Sequence, residues 1–185
     1  MKRVLLIALM IICMASLASA DAGRLGVFSD LAGTACQVTD PLYANFYLYV
    51  LHYSATAANS SQFRIDVDPT LGAASFNPSV APGLLSLGDF TNGITITYVG
   101  CKTTFPLHVA TIEWFGLGNS TECHWVRIAE DPGSQTGKPE VVDCALVKYG
   151  LDYTLTGYIA NDGVDCSCSV PTQETNWSKI KALYK

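Results

Sequence analysis

Residues 45–53 read Asn-Phe-Tyr-Leu-Tyr-Val-Leu-His-Tyr (NFYLYVLHY), and this stretch decides the fold class. Aromatic, β-branched and leucine side chains fill it, and both of its faces are apolar. That pattern suits a strand covered on both sides better than a half-exposed one. Further along, Gln62 to Asp68 (QFRIDVD) alternates. Phe63, Ile65 and Val67 point one way, while Gln62, Arg64, Asp66 and Asp68 point to water. Leu84 to Phe90 and Ile94 to Cys101 flank Thr91-Asn92-Gly93. Asn-Gly tolerates positive φ at both central turn positions, so these two runs read as a hairpin.

Leu107 to Phe115 (LHVATIEWF) is another strand, stopped by Gly116-Leu117-Gly118-Asn119, with Cys123 to Ala129 as its expected partner. Glu130 to Pro139 (EDPGSQTGKP) is a polar loop. Glu140 to Tyr149 and Tyr153 to Ala160 resume β character, the latter leading into the turn Asn161-Asp162-Gly163. Ala73 to Pro82 shows neither period and is expected to cross between sheets. Short strands at this spacing predict an all-β fold, an antiparallel β-sandwich that is immunoglobulin-like in the broad sense. The expected core includes Phe46, Leu48, Val50, Phe63, Ile65, Val67, Ile94, Ile96, Ile112 and Trp114.

The two ends read differently. Lys2 and Arg3 precede an apolar run from Val4 to Ala15, and Ala18-Ser19-Ala20 offers a small-x-small cleavage site. That is the pattern of a secretory signal peptide. At the other end, Trp177, Ile180 and Tyr184 fall on one helical face, with Thr175 or Asn176 as the cap. The expected division is a signal peptide over 1–20, a β-sandwich domain over 21–170 and a helical tail over 171–185. The apolar stripe of the tail is expected to dock on the sandwich or on a partner.

Removing the signal leaves Cys36, Cys101, Cys123, Cys144, Cys166 and Cys168. An even set in a secreted chain implies disulfides, and sequence alone leaves fifteen connectivities open. Cys166 and Cys168 are too close to pair comfortably with each other, so each is expected to reach a different partner. The signal holds two of the eleven basic residues and no acidic ones. Nine basic residues then face sixteen acidic ones, a net charge near −7. Such a chain is repelled by nucleic acid and by anionic lipid. No second apolar stretch is long enough to span a membrane as a helix.

Gly26-Val27-Phe28-Ser29-Asp30, Gly33-Thr34-Ala35-Cys36, Phe63-Arg64-Ile65 and the closing Trp177-Ser178-Lys179-Ile180-Lys181-Ala182-Leu183-Tyr184 carry a resemblance. The chain resembles small secreted bacterial β-sandwich proteins of uncharacterised function that end in a Trp-x-x-x-Lys-x-Leu-Tyr type tail. The resemblance implies an extracellular sandwich domain and carries over no catalytic residue.

Candidate chemistry is sparse. His52, His108 and His124 show no spacing that would bring three ligands to about 2 Å from one zinc ion. In the strand reading His108 shares a face with Ala110, Ile112 and Trp114. No Gly-x-Ser-x-Gly elbow and no His-Glu-x-x-His motif occurs. Asp66-Val67-Asp68-Pro69-Thr70-Leu71-Gly72 starts like a calcium loop but has neither the glycine nor the final acid where an EF-hand needs them. Asn161, Asp162 and Asp165 leave calcium open as a ligand of the following turn, and no other cofactor is expected. Tyr47, Tyr49 and Tyr53 share one strand face and offer an aromatic platform for a ligand, if that face is not core. The sequence therefore favours a secreted, non-enzymatic binding or structural module of the extracellular or cell-envelope space. Its partner would be an extracellular protein or a polysaccharide. The alternative is a secreted carbohydrate-active hydrolase whose paired carboxylates converge from distant strands.

Overall fold

The structure is a computed structural model that describes residues 23–53, 55–72 and 75–168. The expected signal peptide and the expected tail helix with Trp177, Ile180 and Tyr184 fall outside the described residues. Within them the chain is all β, two sheets packed face to face, with no helix. The smaller sheet runs β1 (Arg24–Phe28), β3 (Leu42–Tyr53), β8 (Leu107–Leu117) and β5 (Ser75–Val80). The larger sheet is built on β4 (Ala58–Val67). On one edge of β4 lies β7 (Gly93–Lys102), followed by β6 (Leu85–Asp89). On the other edge β10 (Glu140–Val142) pairs with residues 60–62, and β9 (His124–Ala129) pairs with residues 64–67. Beyond these lie β11 (Lys148–Gly150), next to β10, and β12 (Gly157–Ala160) with β2 (Gln37–Thr39), next to β9.

Alternation builds the core. Phe46, Leu48 and Val50 of β3 face Phe63 and Ile65 of β4, Ile94, Ile96 and Tyr98 of β7, and Ile112 and Trp114 of β8 in one apolar cluster. All the expected core positions are buried except Val67, which is half-buried. The β3 strand is covered on both sides only over its second half. Phe28 and Leu155 close a second small cluster over Leu51 and Tyr53, whereas Tyr47 stays 41% exposed.

Four expectations need correction. Residues 123–129 do not pair with β8; they form β9 between β4 and β12 in the opposite sheet. The reason lies in the connection. Asp40 Oδ2 accepts hydrogen bonds from the Asn119 and Ser120 N–H groups (3.1 and 3.2 Å) and from Ser120 Oγ (2.8 Å). This pins the loop at the end of the sandwich instead of turning it back as a hairpin. Gly116 permits the approach, since a Cβ there would sit 2.2 Å from the Pro41 carbonyl oxygen. Second, residues 75–80 are not a crossing segment: they form β5, the edge strand of the smaller sheet, paired with β8. Pro78 is tolerated because β5 is an edge strand. Third, the sandwich is not wholly antiparallel, because β2 and β12 run parallel. Fourth, the β6–β7 turn does not rest on Asn-Gly. Asp89 pairs with Gly93, and Asp89 Oδ1 accepts the N–H groups of Thr91 (2.9 Å) and Asn92 (2.8 Å). Only Gly93 takes a positive φ, 127°.

Three disulfides close the framework. Cys101–Cys144 ties the end of β7 to the β10–β11 turn, with Cα atoms 5.4 Å apart. Cys123–Cys166 and Cys36–Cys168 have Cα separations of 5.8 and 5.9 Å, so the two neighbouring cysteines reach different partners. Chain-entropy reasoning assigns about 4 kcal/mol to a bridge that closes a loop of 43 residues, as Cys101–Cys144 does. The double substitution Cys101→Ala/Cys144→Ala should therefore lower Tm by roughly 10 °C in a thermal denaturation followed by circular dichroism.

Glu140 knots the polar loop that precedes it. Its buried Oε1 accepts hydrogen bonds from Ser134 Oγ (2.9 Å) and the Thr136 N–H (3.1 Å), and its Oε2 lies 3.3 Å from Lys148 Nζ. Burial pushes the carboxyl pKa up, but these hydrogen bonds outweigh it and hold it below the usual glutamate value. A carboxylate depressed in the folded state stabilises the fold above its unfolded pKa, about 4.3, and loses that contribution as pH falls through the folded value. Glu140→Gln should accordingly flatten part of the decline in Tm between pH 5 and strongly acidic solution, measured by calorimetry across that range.

Candidate functional site

The outer face of the smaller sheet carries the most organised polar and aromatic surface. On β3, Asn45, Tyr47 and Tyr49 point outward; on β8, Glu113 and Thr111; on β5, Asn77 and Ser79. Cross-strand register sets Tyr47 opposite Glu113 and Glu113 opposite Asn77. The Glu113 carboxylate is consequently held from both sides. Its Oε1 accepts hydrogen bonds from Asn45 Nδ2 (2.8 Å) and the Tyr47 hydroxyl (3.3 Å), and its Oε2 accepts one from Asn77 Nδ2 (3.3 Å). Fixed, charge-assisted bonds of this kind hold an acceptor in place on an otherwise open sheet.

His108 joins this face against the plain alternation of its strand. Val50 pairs with Ala110 but Leu51 pairs with His108, so Val109 is an extra residue in β8. The bulge buries Val109 together with Ala110 and turns His108 outward. Its Nε2 lies 2.9 Å from Thr111 Oγ1, and its ring meets Tyr49 edge-on at 5.6 Å. Burial holds the His108 imidazole pKa below the usual histidine value, with a smaller opposing contribution from a backbone hydrogen bond at Ala110.

The three tyrosines of the expected platform do share one face, but they divide along it. Tyr47 is open, Tyr49 is half-buried, and Tyr53 is packed edge-on against Phe28 at 5.5 Å. Burial pushes the Tyr53 hydroxyl pKa up to about 12, with Arg24 opposing. Tyr53 therefore belongs to the small outer core and not to a binding surface. Sequence reading missed Glu113, Asn45 and Asn77 as a group. The signal that would have found them is the period-2 alternation of three strands, but only once their register is known.

The remaining candidates are engaged structurally. His52 is fully buried, its Nδ1 2.9 Å from the Tyr98 hydroxyl. His124 is buried beside Thr70 Oγ1 (3.3 Å) and Asp68 Oδ2 (3.8 Å). Asp66 pairs with Arg127, and Asp68 accepts the Thr70 N–H within its own turn. Asp162 accepts from Thr39, and Asn161 donates to the Gly118 carbonyl. Among the described residues no group of three or more His, Cys, Asp or Glu side chains is arranged to hold a metal ion. Among the described residues no helix is long and apolar enough to cross a membrane.

No protein-family model matches the chain, and no curated protein matches it in sequence. Solved structures do match in fold. The chain is similar to a type II cohesin domain from the cellulosome of Acetivibrio cellulolyticus, with a TM-score of 0.52 and 11% identity over 76% of this chain and 96% of that one. It is also similar to a cohesin module from a Clostridium perfringens family 33 glycoside hydrolase, with a TM-score of 0.50 and 9% identity over 76% and 98%. At these identities the likeness is one of fold, and the fold is a cohesin-like β-sandwich.

Proposed function

We propose that this chain is a non-catalytic module of the extracellular space that binds a protein partner through the outer face of its smaller sheet. The observation that carries this reading is the Glu113 carboxylate, held by Asn45, Tyr47 and Asn77 on an open sheet face. Tyrosine, asparagine, serine and threonine dominate that face, and such side chains give large contact area and adaptable hydrogen bonding at low entropic cost. Leu42 and Tyr43 extend it at the start of β3, exposed by 65% and 71%. The cohesin-like fold, found in a cellulosomal module, supports the same class. Three disulfides and the secretory pattern at Met1–Ala20 support an extracellular setting.

The hydrolase reading is weaker on a specific ground. Glycoside hydrolysis needs one carboxyl held protonated, with its pKa raised, beside a second that is ionised. Among the described residues the carboxyl groups whose pKa is displaced are Asp30, Asp68, Asp89, Glu140 and Asp152, and all are displaced downward, burial where it opposes being outweighed by hydrogen bonds or a neighbouring cation.

The test uses the secreted protein as bait. Extracellular proteins that it retains are identified, and the affinity of each is then measured for wild type and for Tyr47→Ala/Glu113→Ala. A central aromatic and its charged neighbour in an interface cost roughly 1–3 kcal/mol each when truncated. The double variant should weaken binding at least about tenfold with Tm nearly unchanged. Equal affinity of wild type and variant would remove this face as the interface. Turnover of a polysaccharide by the purified protein would instead restore the hydrolase reading.

A further inference from the structure

The edge of β4 opposite β7 is shared by two partners, and where they part the larger sheet forks. Gln62 pairs with Glu140 of β10, while Arg64 pairs with Ala129 of β9. Between them the chain opens a cleft of about 370 Å³ on the outer face of the sheet, with Leu151, Asp152 and Thr154 as its far wall. That volume falls at the small end of ordinary ligand sites, about 300–1,000 Å³.

We infer that this fork is a second binding site, for a neutral, hydroxyl-rich carbohydrate. Its walls carry charges of both signs already arranged in pairs. Arg127 donates from Nε and Nη2 to Asp66 Oδ2 (3.1 and 2.7 Å). Arg64 Nη2 lies 3.7 Å from Glu130 Oε1, and Lys138 pairs with Asp152. Two guanidinium groups and three carboxylates line the cleft, and Lys138 beside it pairs with Asp152, so each wall charge already has a partner and little is left to hold an ionic ligand. It does present guanidinium donors beside carboxylate acceptors, the combination that matches hydroxyl groups, each of which donates and accepts. Ala129, Pro139 and Leu151 add a smaller apolar part to a lining that is mostly polar, while the Ile128 side chain faces the core. A pyranose ring, with polar edges and apolar C–H faces, matches a polar rim with a small apolar patch. Arg127 is further fixed by stacking over the Trp125 ring at 4.2 Å, so its donors are oriented before a ligand arrives.

An extended peptide fits less well. Strand addition needs free backbone groups along an edge. Here the Ile128 carbonyl accepts from Thr154 Oγ1 (3.2 Å), the Glu130 carbonyl from Arg64 Nε (3.0 Å) and the Pro139 carbonyl from the Leu151 N–H (2.8 Å). The site lies on the sheet opposite Glu113, so it stands apart from the face proposed for the protein partner.

Native affinity electrophoresis tests this with the secreted protein in gels containing neutral polysaccharides (mixed-linkage β-glucan, xyloglucan, xylan, galactomannan, dextran) or anionic ones (heparin, polygalacturonate). The expected result is retardation in at least one neutral gel, insensitive to added salt, and none in the anionic gels. Asp66→Asn/Glu130→Gln should weaken the affinity read from the retardation at least about tenfold. Asp152→Asn alters a side chain 86% exposed in its pair with Lys138, and should weaken retardation without altering the melting curve. Tyr47→Ala/Glu113→Ala should leave it unchanged. Migration that no neutral polysaccharide slows, retardation in anionic gels alone, or retardation that survives both cleft variants in folded protein would each overturn the inference.

Discussion

The larger sheet hangs on the backbone of β4, which hydrogen-bonds β7 along one edge and two successive partners, β10 and β9, along the other. Buried N–H and C=O groups must be paired, so a strand shared this way dictates where its neighbours start and stop. The β7 and β6 strands can lie only beyond its first edge. The β9 and β12 strands must continue on the second, and β2 joins them only because the chain between β2 and β3 turns at Asp40 and Pro41. Phe63 and Ile65 of this one strand also point into the main core, which couples the hydrogen-bond ladder to the packing of both sheets.

Much of this was legible along the chain and little of it across the chain. The alternation of Phe63, Ile65 and Val67, and the density of apolar residues at 45–53, report the environment of each strand, because burial acts on side chains locally. Pairing depends on events elsewhere. The segment at 123–129 reads as a neighbour of 107–115 because they are consecutive, yet Asp40 captures the connecting loop from eighty residues upstream and sends β9 to the other sheet. His108 illustrates the same limit at finer scale. Strict alternation puts it with Ile112 and Trp114, and one inserted residue, Val109, reverses its direction. A bulge has no composition of its own, so it is invisible until register is known.

The candidate surfaces follow the same division. Tyr47 and Tyr49 are recognisable as aromatics on one face, whereas Glu113 gains its role from residues 36 and 68 positions away. The two outer faces also differ in kind. One is an open sheet face with a single fixed carboxylate, capped over the end of β3 by Phe28 and Leu155, and the other is broken by a fork with paired charges around it. An open face suits extended contact, and a notch suits enclosure of a small group. A sandwich has two outer faces by construction, and this one has given them different chemistry.

Cys36–Cys168 has a mechanical consequence. The bridge joins positions 132 residues apart, and the described chain starts only a little before Cys36, at Gly23. Tension applied between Gly23 and Cys168 travels from Gly23 to Cys36 and then through the sulfur atoms to Cys168. Everything from Gln37 to Ser167 lies in a covalent loop that bears no load. The only strand in the path of the force is β1, five residues paired with the second half of β3 and bridged to Leu155. Stretching would peel β1, withdrawing Phe28 from the cluster over Leu51 and Tyr53, and lengthen the chain by about 45 Å at most, at some 3.4 Å per residue, while Glu113 and the fork stayed within the covalent loop. A module tethered at its two ends could yield under shear without letting go of what it holds.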